Sequence, residues 1–325
     1  MVKTKILILI LIMSVVICFT TVSIGESKNE LSLILGGRYI KPYTIKHDKR
    51  NDEYNQIKNM ERFFRPSKLP ILNDKIETSI YDLYGSENLN FKISDNLLKT
   101  PKDTIINYFS VLREAANPNK DTNTGCGSLG DTKGPYPVAY NFLTKSYKQQ
   151  VSYNEYLKSF ENKLHTNLIK LEKVPRDLEH PKDDKYFVEL EIIEGTNENR
   201  GVFGYYYGYI YVTKEDGVYK INYMQYSPEN YLCAPYHGWN YDAEFVIDIK
   251  YKQWCSLVKG DIKINQDGYK KKIYFSDKNG NQYYVLFYQL TNGYDIKIAD
   301  YKKDKNGNWK FIYINPEKCL EDKNK

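Results

Sequence analysis

His237 and Asp242 are the pair best suited by type and spacing to acid–base chemistry. His237 lies in the aromatic loop Ser227–Asn240 (SPENYLCAPYHGWN), and Asp242 follows five residues later. Imidazole titrates near neutrality, so a carboxylate within about 3 Å of it would make a general base fit for a hydrolase or an isomerase. The competing reading makes the loop structural, held by Pro235, Trp239 and a disulfide at Cys233. Of the other histidines, His47 and His180 sit among charged residues and read as surface, while His165 follows a predicted helix. Cys233 and His237 also have the i,i+4 spacing of two zinc ligands, with Cys126 or Cys255 as further donors. No Cys-x-x-Cys pair supports that option, so neither metal nor cofactor is expected. Ser/His/Asp nucleophile signatures, Gly-x-Gly-x-x-Gly and the phosphate-loop motif are absent.

The aromatic residues are the stronger lead. Tyrosine occurs 32 times, and the run Gly201–Val212 (GVFGYYYGYIYV) carries a cluster of them. With a period of two, Phe203, Tyr205, Tyr207, Tyr209 and Tyr211 share one face of a central strand. Gly204, Tyr206, Gly208, Ile210 and Val212 share the other, and the glycines mark a bend or a place where something packs close. If the tyrosine face looks into a pocket, Tyr205, Tyr207, Tyr209, Tyr211 and Trp239 offer stacking surfaces and hydroxyls for a sugar, a peptide or an apolar ligand. Core packing with paired hydroxyls accounts for the same tyrosines without a ligand.

The N-terminus points to export. Met1–Lys5 is basic, and Ile6–Gly25 carries no charge, with Ser23 and Gly25 as small residues ahead of a cut. This is the form of a signal peptide, although an uncleaved anchor has the same length. Cys18 lacks the small residue expected before a lipidated cysteine, because Ile17 is bulky. Beyond the leader, Cys126, Cys233, Cys255 and Cys319 fit two disulfides, for which three pairings exist. Cys126–Cys233 would staple two loops and Cys255–Cys319 would fasten the C-terminus, so this pairing is preferred.

Composition limits the partners. A net charge of +6, from 47 basic and 41 acidic residues, is a mild excess dominated by Lys. It shows no clustered basic face, so nucleic acid is not an expected partner. The Lys, Asn, Ile and Tyr bias resembles the usage of AT-rich Gram-positive bacteria.

The elements that must position these residues begin at Thr100. Thr100-Pro101-Lys102-Asp103 reads as an N-cap, a first-position Pro and a third-position acid. Ile105, Ile106, Phe109, Leu112 and Ala116 continue as an apolar stripe that Pro118 stops. Further helices are predicted at Val138–Ser146 and from the Ser152 cap through Leu164, with Glu155 completing a capping box. Strands follow at Leu168–Val174, Tyr186–Ile193, Val202–Thr213 and Val218–Tyr226. This order, the start Pro101-Lys-Asp-Thr-Ile-Ile-Asn-Tyr-Phe109 and the tyrosine-rich strand resemble the nuclear-transport-factor-2-like superfamily over residues 100–227. The resemblance implies a cone in which a curved sheet wraps the helices around a pocket; it implies no reaction.

Tyr241–Val258 fits either periodicity, with length favouring a helix. The tail is predicted as short strands at Asp261–Asn265, Lys270–Phe275, Tyr283–Leu290, Tyr294–Ala299 and Trp309–Asn315. Asp-Lys-Asn-Gly-Asn occurs at 277–281 and again at 304–308, where its Gly is misplaced for a calcium loop and suits a hairpin turn.

The sequence therefore predicts an α+β protein, with three helices on a curved antiparallel sheet followed by a smaller, mostly-β region. Its expected divisions are a leader at 1–25, an N-terminal arm or subdomain at 26–98, the cone at 99–227 and helix-plus-hairpins at 228–325. The expected role is a binding or structural protein of the cell envelope, secreted or attached to the outer face of the cytoplasmic membrane, with an envelope protein, peptide or glycan as partner. A hydrolase or isomerase using His237 and Asp242 is the alternative.

Overall fold

Thr100 starts the first helix as its residue type dictates. In the computed structural model its hydroxyl oxygen accepts from the Asp103 amide at 3.1 Å, and the hydroxyl donates to the Asp103 carboxylate at 2.7 Å. Helix α1, Pro101–Arg113, then buries Ile105, Tyr108, Phe109, Val111 and Leu112. The structure describes residues 32–40, 66–75, 78–83, 89, 91–119, 133–195, 201–229 and 238–323. The leader, Cys126, Cys233 and His237 lie outside them. Thr100→Ala is expected to lower stability by about 1 kcal/mol through loss of the cap. An unchanged midpoint and slope in equilibrium unfolding would remove that role.

The helix predicted at Val138–Ser146 is two helices, α2 (Pro135–Tyr140) and α3 (Lys145–Gln150). Between them Leu143 bridges Ile221 on the sheet, and the Thr144 hydroxyl caps the second start by accepting from the Tyr147 amide. Helix α4, Tyr153–Lys158, has the expected capping box from Ser152 and Glu155. It ends earlier than predicted. The Ser159 hydroxyl donates to the Tyr156 carbonyl, and Asn162 turns the chain at φ +61°. Leu164 and His165 therefore fall in a strand.

Sheet A has six strands: β1 (Leu33–Ile34), β2 (Gly37–Tyr39), β3 (Lys163–Val174), β4 (Asp184–Gly195), β5 (Gly201–Glu215) and β6 (Val218–Pro228). Their spatial order is β1-β2-β6-β5-β4-β3, antiparallel except where β2 runs parallel to β6. The helices cover one face. Tyr206, Ile210 and Val212 of β5 join Tyr108, Phe142, Tyr156 and Phe160 in the core beneath them. On that face the Tyr226 ring lies between two strands that have no Cβ. A Cβ on Gly37 would come within 2.7 Å of this ring, and one on Gly208 within 2.8 Å of it and 2.0 Å of the Gln225 carbonyl oxygen. The close packing predicted at the β5 glycines is the contact of Gly208 with Tyr226.

The ambiguous segment is helical. Asp242 caps α5 (Ala243–Val246), which widens into a π-helix at Ile247–Trp254 and buries Ala243, Val246, Ile247 and Tyr251. That face packs on sheet B, an antiparallel meander ordered β11-β10-β9-β8-β7. Its strands are β7 (Lys259–Asp267), β8 (Lys270–Ser276), β9 (Gln282–Gln289), β10 (Asp295–Lys303) and β11 (Trp309–Ile312). The strand predicted at Trp309–Asn315 ends at Ile312, and the chain then enters α6 (Pro316–Lys323), a helix the sequence reading did not include. Cys255 and Cys319 form a disulfide with their Cα atoms 4.9 Å apart, joining α6 to the end of the π-helix.

Candidate functional site: an aromatic groove on the second sheet

Tyr205, Tyr207, Tyr209 and Tyr211 share a face of β5 as predicted, but not the face that looks toward the helices. Their side is covered by sheet B, where Tyr207 and Tyr209 pack with Phe187, Tyr284, Leu286 and Tyr288. The opposite face is the one on which Gly208 lets the Tyr226 ring pack close, and on this face two of the four hydroxyls find carboxylate partners. The Tyr205 hydroxyl donates to Glu191 at 3.1 Å, and that of Tyr211 donates to Asp177 at 2.6 Å. Burial pushes the Tyr207 phenol up to about 12. Burial alone would raise the Asp177 carboxyl, but hydrogen bonds from Tyr211 and Lys185 hold it below its ordinary value. Tyr207 and Tyr209 thus fill an interface between the sheets, while Tyr205 and Tyr211 are tied to Glu191 and Asp177.

The same interface contains a buried ion pair. Lys170 and Glu189 are 3% and 0% exposed with their charged atoms 2.5 Å apart. Lys170 also donates to the Gln289 carbonyl at 2.7 Å, and Glu189 accepts from the Thr291 amide at 2.8 Å and from the Thr291 hydroxyl. Glu191 beside it accepts from Asn167, Ser67 and Tyr205. Both carboxylates are engaged by donors, and the Lys170–Glu189 pair, bonded to Gln289 and Thr291, is a joint between the sheets.

The predicted acid–base pair is not assembled within the described residues. His237 lies outside them, and one Asp242 carboxylate oxygen accepts from the amides of Glu244 and Phe245 as a helix cap. Trp239 sits away from the β5 tyrosines, edge-on to Trp254 at 6.0 Å, with the Lys250 ammonium over both rings. Of the four cysteines, Cys255 and Cys319 are paired as preferred, while Cys126 and Cys233 lie outside the described residues. Among the described residues no group of three or more His, Cys, Asp or Glu side chains is placed to hold a metal.

A second aromatic array, not anticipated from the sequence, runs across sheet B. Tyr274 pairs with Tyr284, Tyr284 with Tyr301, and Tyr301 with Phe311, so four strands contribute one cross-strand row. The Tyr284 and Tyr301 rings stack at 4.5 Å. The two Asp-Lys-Asn-Gly-Asn turns set the outer two of these pairings, and the β9–β10 hairpin joins them. Asp277 accepts from the Asn279 and Asn281 amides, Asp304 accepts from the Asn306 and Asn308 amides, and Gly280 and Gly307 take φ of +79° and +84°. Each turn thereby aligns the aromatic residue three positions before it with the one three positions after it. The signal was present in the repeat: both copies have aromatics at those two offsets.

Next to the row the sheet opens. Pairing of β7 with β8 jumps from Lys259↔Ser276 to Lys263↔Tyr274, so β7 carries two extra residues and bulges. A groove of about 450 Å³ lies there, lined by Asp261, Lys263 and Asn265 on one side and by Tyr274, Ser276, Gln282 and Trp309 on the other. The Trp309 indole meets Tyr284 at 76° and Tyr274 at 60°, standing off both rings instead of lying flat on them. Among the described residues the side chains of Asp261, Lys263, Asn265 and Ser276 have no hydrogen-bond or ion-pair partner. Half-exposed aromatic surface beside uncommitted donors and acceptors is the composition of a small-ligand site.

No family model, curated protein or solved structure matches the chain. The assignment of a site therefore rests on this geometry.

Proposed function

We propose that the protein is an exported, non-catalytic binding protein of the cell envelope, and that it holds its ligand in the groove beside Trp309. The observation that carries this reading is the bulge of β7, which leaves polar side chains without partners facing half-exposed aromatic rings. The Cys255–Cys319 disulfide supports export, since such bonds persist in oxidising compartments, and the uncharged leader agrees with it. We also read the helices and sheet A as a cone of the nuclear-transport-factor-2-like kind. That cone acts as a scaffold here, its interior filled by Tyr108, Phe109, Phe142 and Tyr156.

Co-sedimentation of the purified protein with an isolated Gram-positive envelope fraction tests the reading. Trp309→Ala combined with Tyr274→Ala removes two ring surfaces and should weaken retention on the order of tenfold. Retention equal to that of the unaltered protein would place the binding surface elsewhere.

A further inference from the structure

We infer that the ligand of this groove is a neutral oligosaccharide, with a sugar ring against the Trp309 indole and its hydroxyls bonded to Asp261, Asn265 and Gln282. This rests on the preceding reading of the groove and deepens it. A sugar ring has one face of C–H groups with partial positive charge, which packs on the negative face of an aromatic ring. Its edge carries hydroxyls that both donate and accept. The groove matches the two halves separately. Trp309 and Tyr274 supply ring surface, Asp261 only accepts, Lys263 only donates, and Asn265, Ser276 and Gln282 do both.

Other ligand classes fit less well. An apolar ligand would cover the uncommitted side chains of Asp261, Lys263, Asn265 and Ser276 without replacing their bonds to water, at a cost for each. A phosphate or other strong anion would face the Asp261 carboxylate, with Lys263 the one cation among the lining residues. The neighbouring Lys303 ammonium already donates to Gln282 at 3.1 Å. An extended peptide adds to a sheet along an open strand edge through its backbone. Here the ring surfaces and the polar side chains line one groove, because Lys263 lies opposite Tyr274, Asn265 is two residues further along the same face, and the bulge brings Asp261 to the same opening. Tyr284, at the centre of the row, is buried, so the ring surface open to a ligand is that of Tyr274 and Trp309 at the groove.

Isothermal titration of the full protein with cellotetraose, maltotetraose and chitotetraose tests the assignment, with tetra-alanine and inorganic phosphate as comparators. At least one tetrasaccharide should bind, and phosphate should not. Asp261→Ala and Asn265→Ala should each weaken that binding about fivefold, the loss of one hydrogen bond. Both residues are exposed and make no side-chain contact of their own, so the thermal midpoint should stay unchanged. Binding of tetra-alanine or phosphate in place of every tetrasaccharide, weakened by Asn265→Ala, would overturn the sugar assignment and leave the groove standing. Failure of all five probes would also overturn the sugar assignment. Tetrasaccharide binding indifferent to Asp261→Ala, Asn265→Ala and Trp309→Ala would overturn the groove itself.

Discussion

Lys170→Met should destabilise the protein by about 3–5 kcal/mol, the cost of leaving a buried charge without its partner. Glu189 is fully buried, and what remains to it is the Thr291 amide and hydroxyl. Those two donors satisfy one oxygen, whereas Lys170 serves the other. The same substitution frees the Gln289 carbonyl and takes the ammonium from above the Tyr269 ring, 4.9 Å away. All these groups lie where sheet A meets sheet B, so the loss should appear first as weakened coupling between the sheets. Lys170→Met combined with Glu189→Leu should recover most of the stability, because an apolar pair of similar volume removes both desolvation costs. Urea unfolding of the two variants checks this. A loss below about 1 kcal/mol in the single variant would mean that water reaches Glu189.

Removing the Cys255–Cys319 bond by a double serine substitution should cost about 4 kcal/mol on the chain-entropy account, for a bridge spanning 64 positions. The bond also has a local task. Helix α6 has one buried residue, Pro316, and its ties include the Lys250–Glu317 ion pair at 3.0 Å and the bond from Lys323 to the Gln253 carbonyl. Glu317 is 60% exposed in that pair, which therefore adds little. Without the disulfide, α6 should lose hydrogen-exchange protection while β8 and β9 keep theirs. A variant with unchanged midpoint and unchanged protection in α6 would show that the helix docks without the bridge.

Much of the fold was legible because local chemistry and tertiary structure agree. Thr100, Ser152 and the turn glycines act within a few residues of themselves, and the four long strands of sheet A were found to within a few residues except at the start of β3. Errors arose where the partner is distant in sequence. The break between α2 and α3 depends on Leu143 meeting Ile221, which no local period reveals. The early end of α4 depends on Asn117, whose carbonyl accepts from the Asn162 amide at 2.7 Å. Helix α6 is different, since its start was readable. Asn315 and Pro316 form a cap and a first-position Pro, and the Asn315 side chain accepts from the Lys318 amide at 3.2 Å.

The site was less legible than the fold. Alternation in Gly201–Val212 shows which tyrosines share a face, but the face that meets the helices depends on where Tyr226 fits against Gly208. The tail contained more information than its turns alone suggested. Recognition of the repeated turn as a hairpin also fixes the pairings of Tyr274 with Tyr284 and of Tyr301 with Phe311, and the β9–β10 hairpin brings the two pairs into one row. The groove itself was beyond the sequence, because no residue pattern announces that β7 bulges between Lys259 and Lys263.

Hydrogen–deuterium exchange of the full protein, with and without soluble polysaccharide fragments from the envelope, tests the groove most directly. The account predicts added protection in peptides covering Lys259–Ser276 and Trp309–Ile312, with β5 unchanged because its tyrosines are already buried between the sheets. Protection confined to the helices or to β5, with Lys259–Ser276 exchanging as in the free protein, would contradict it.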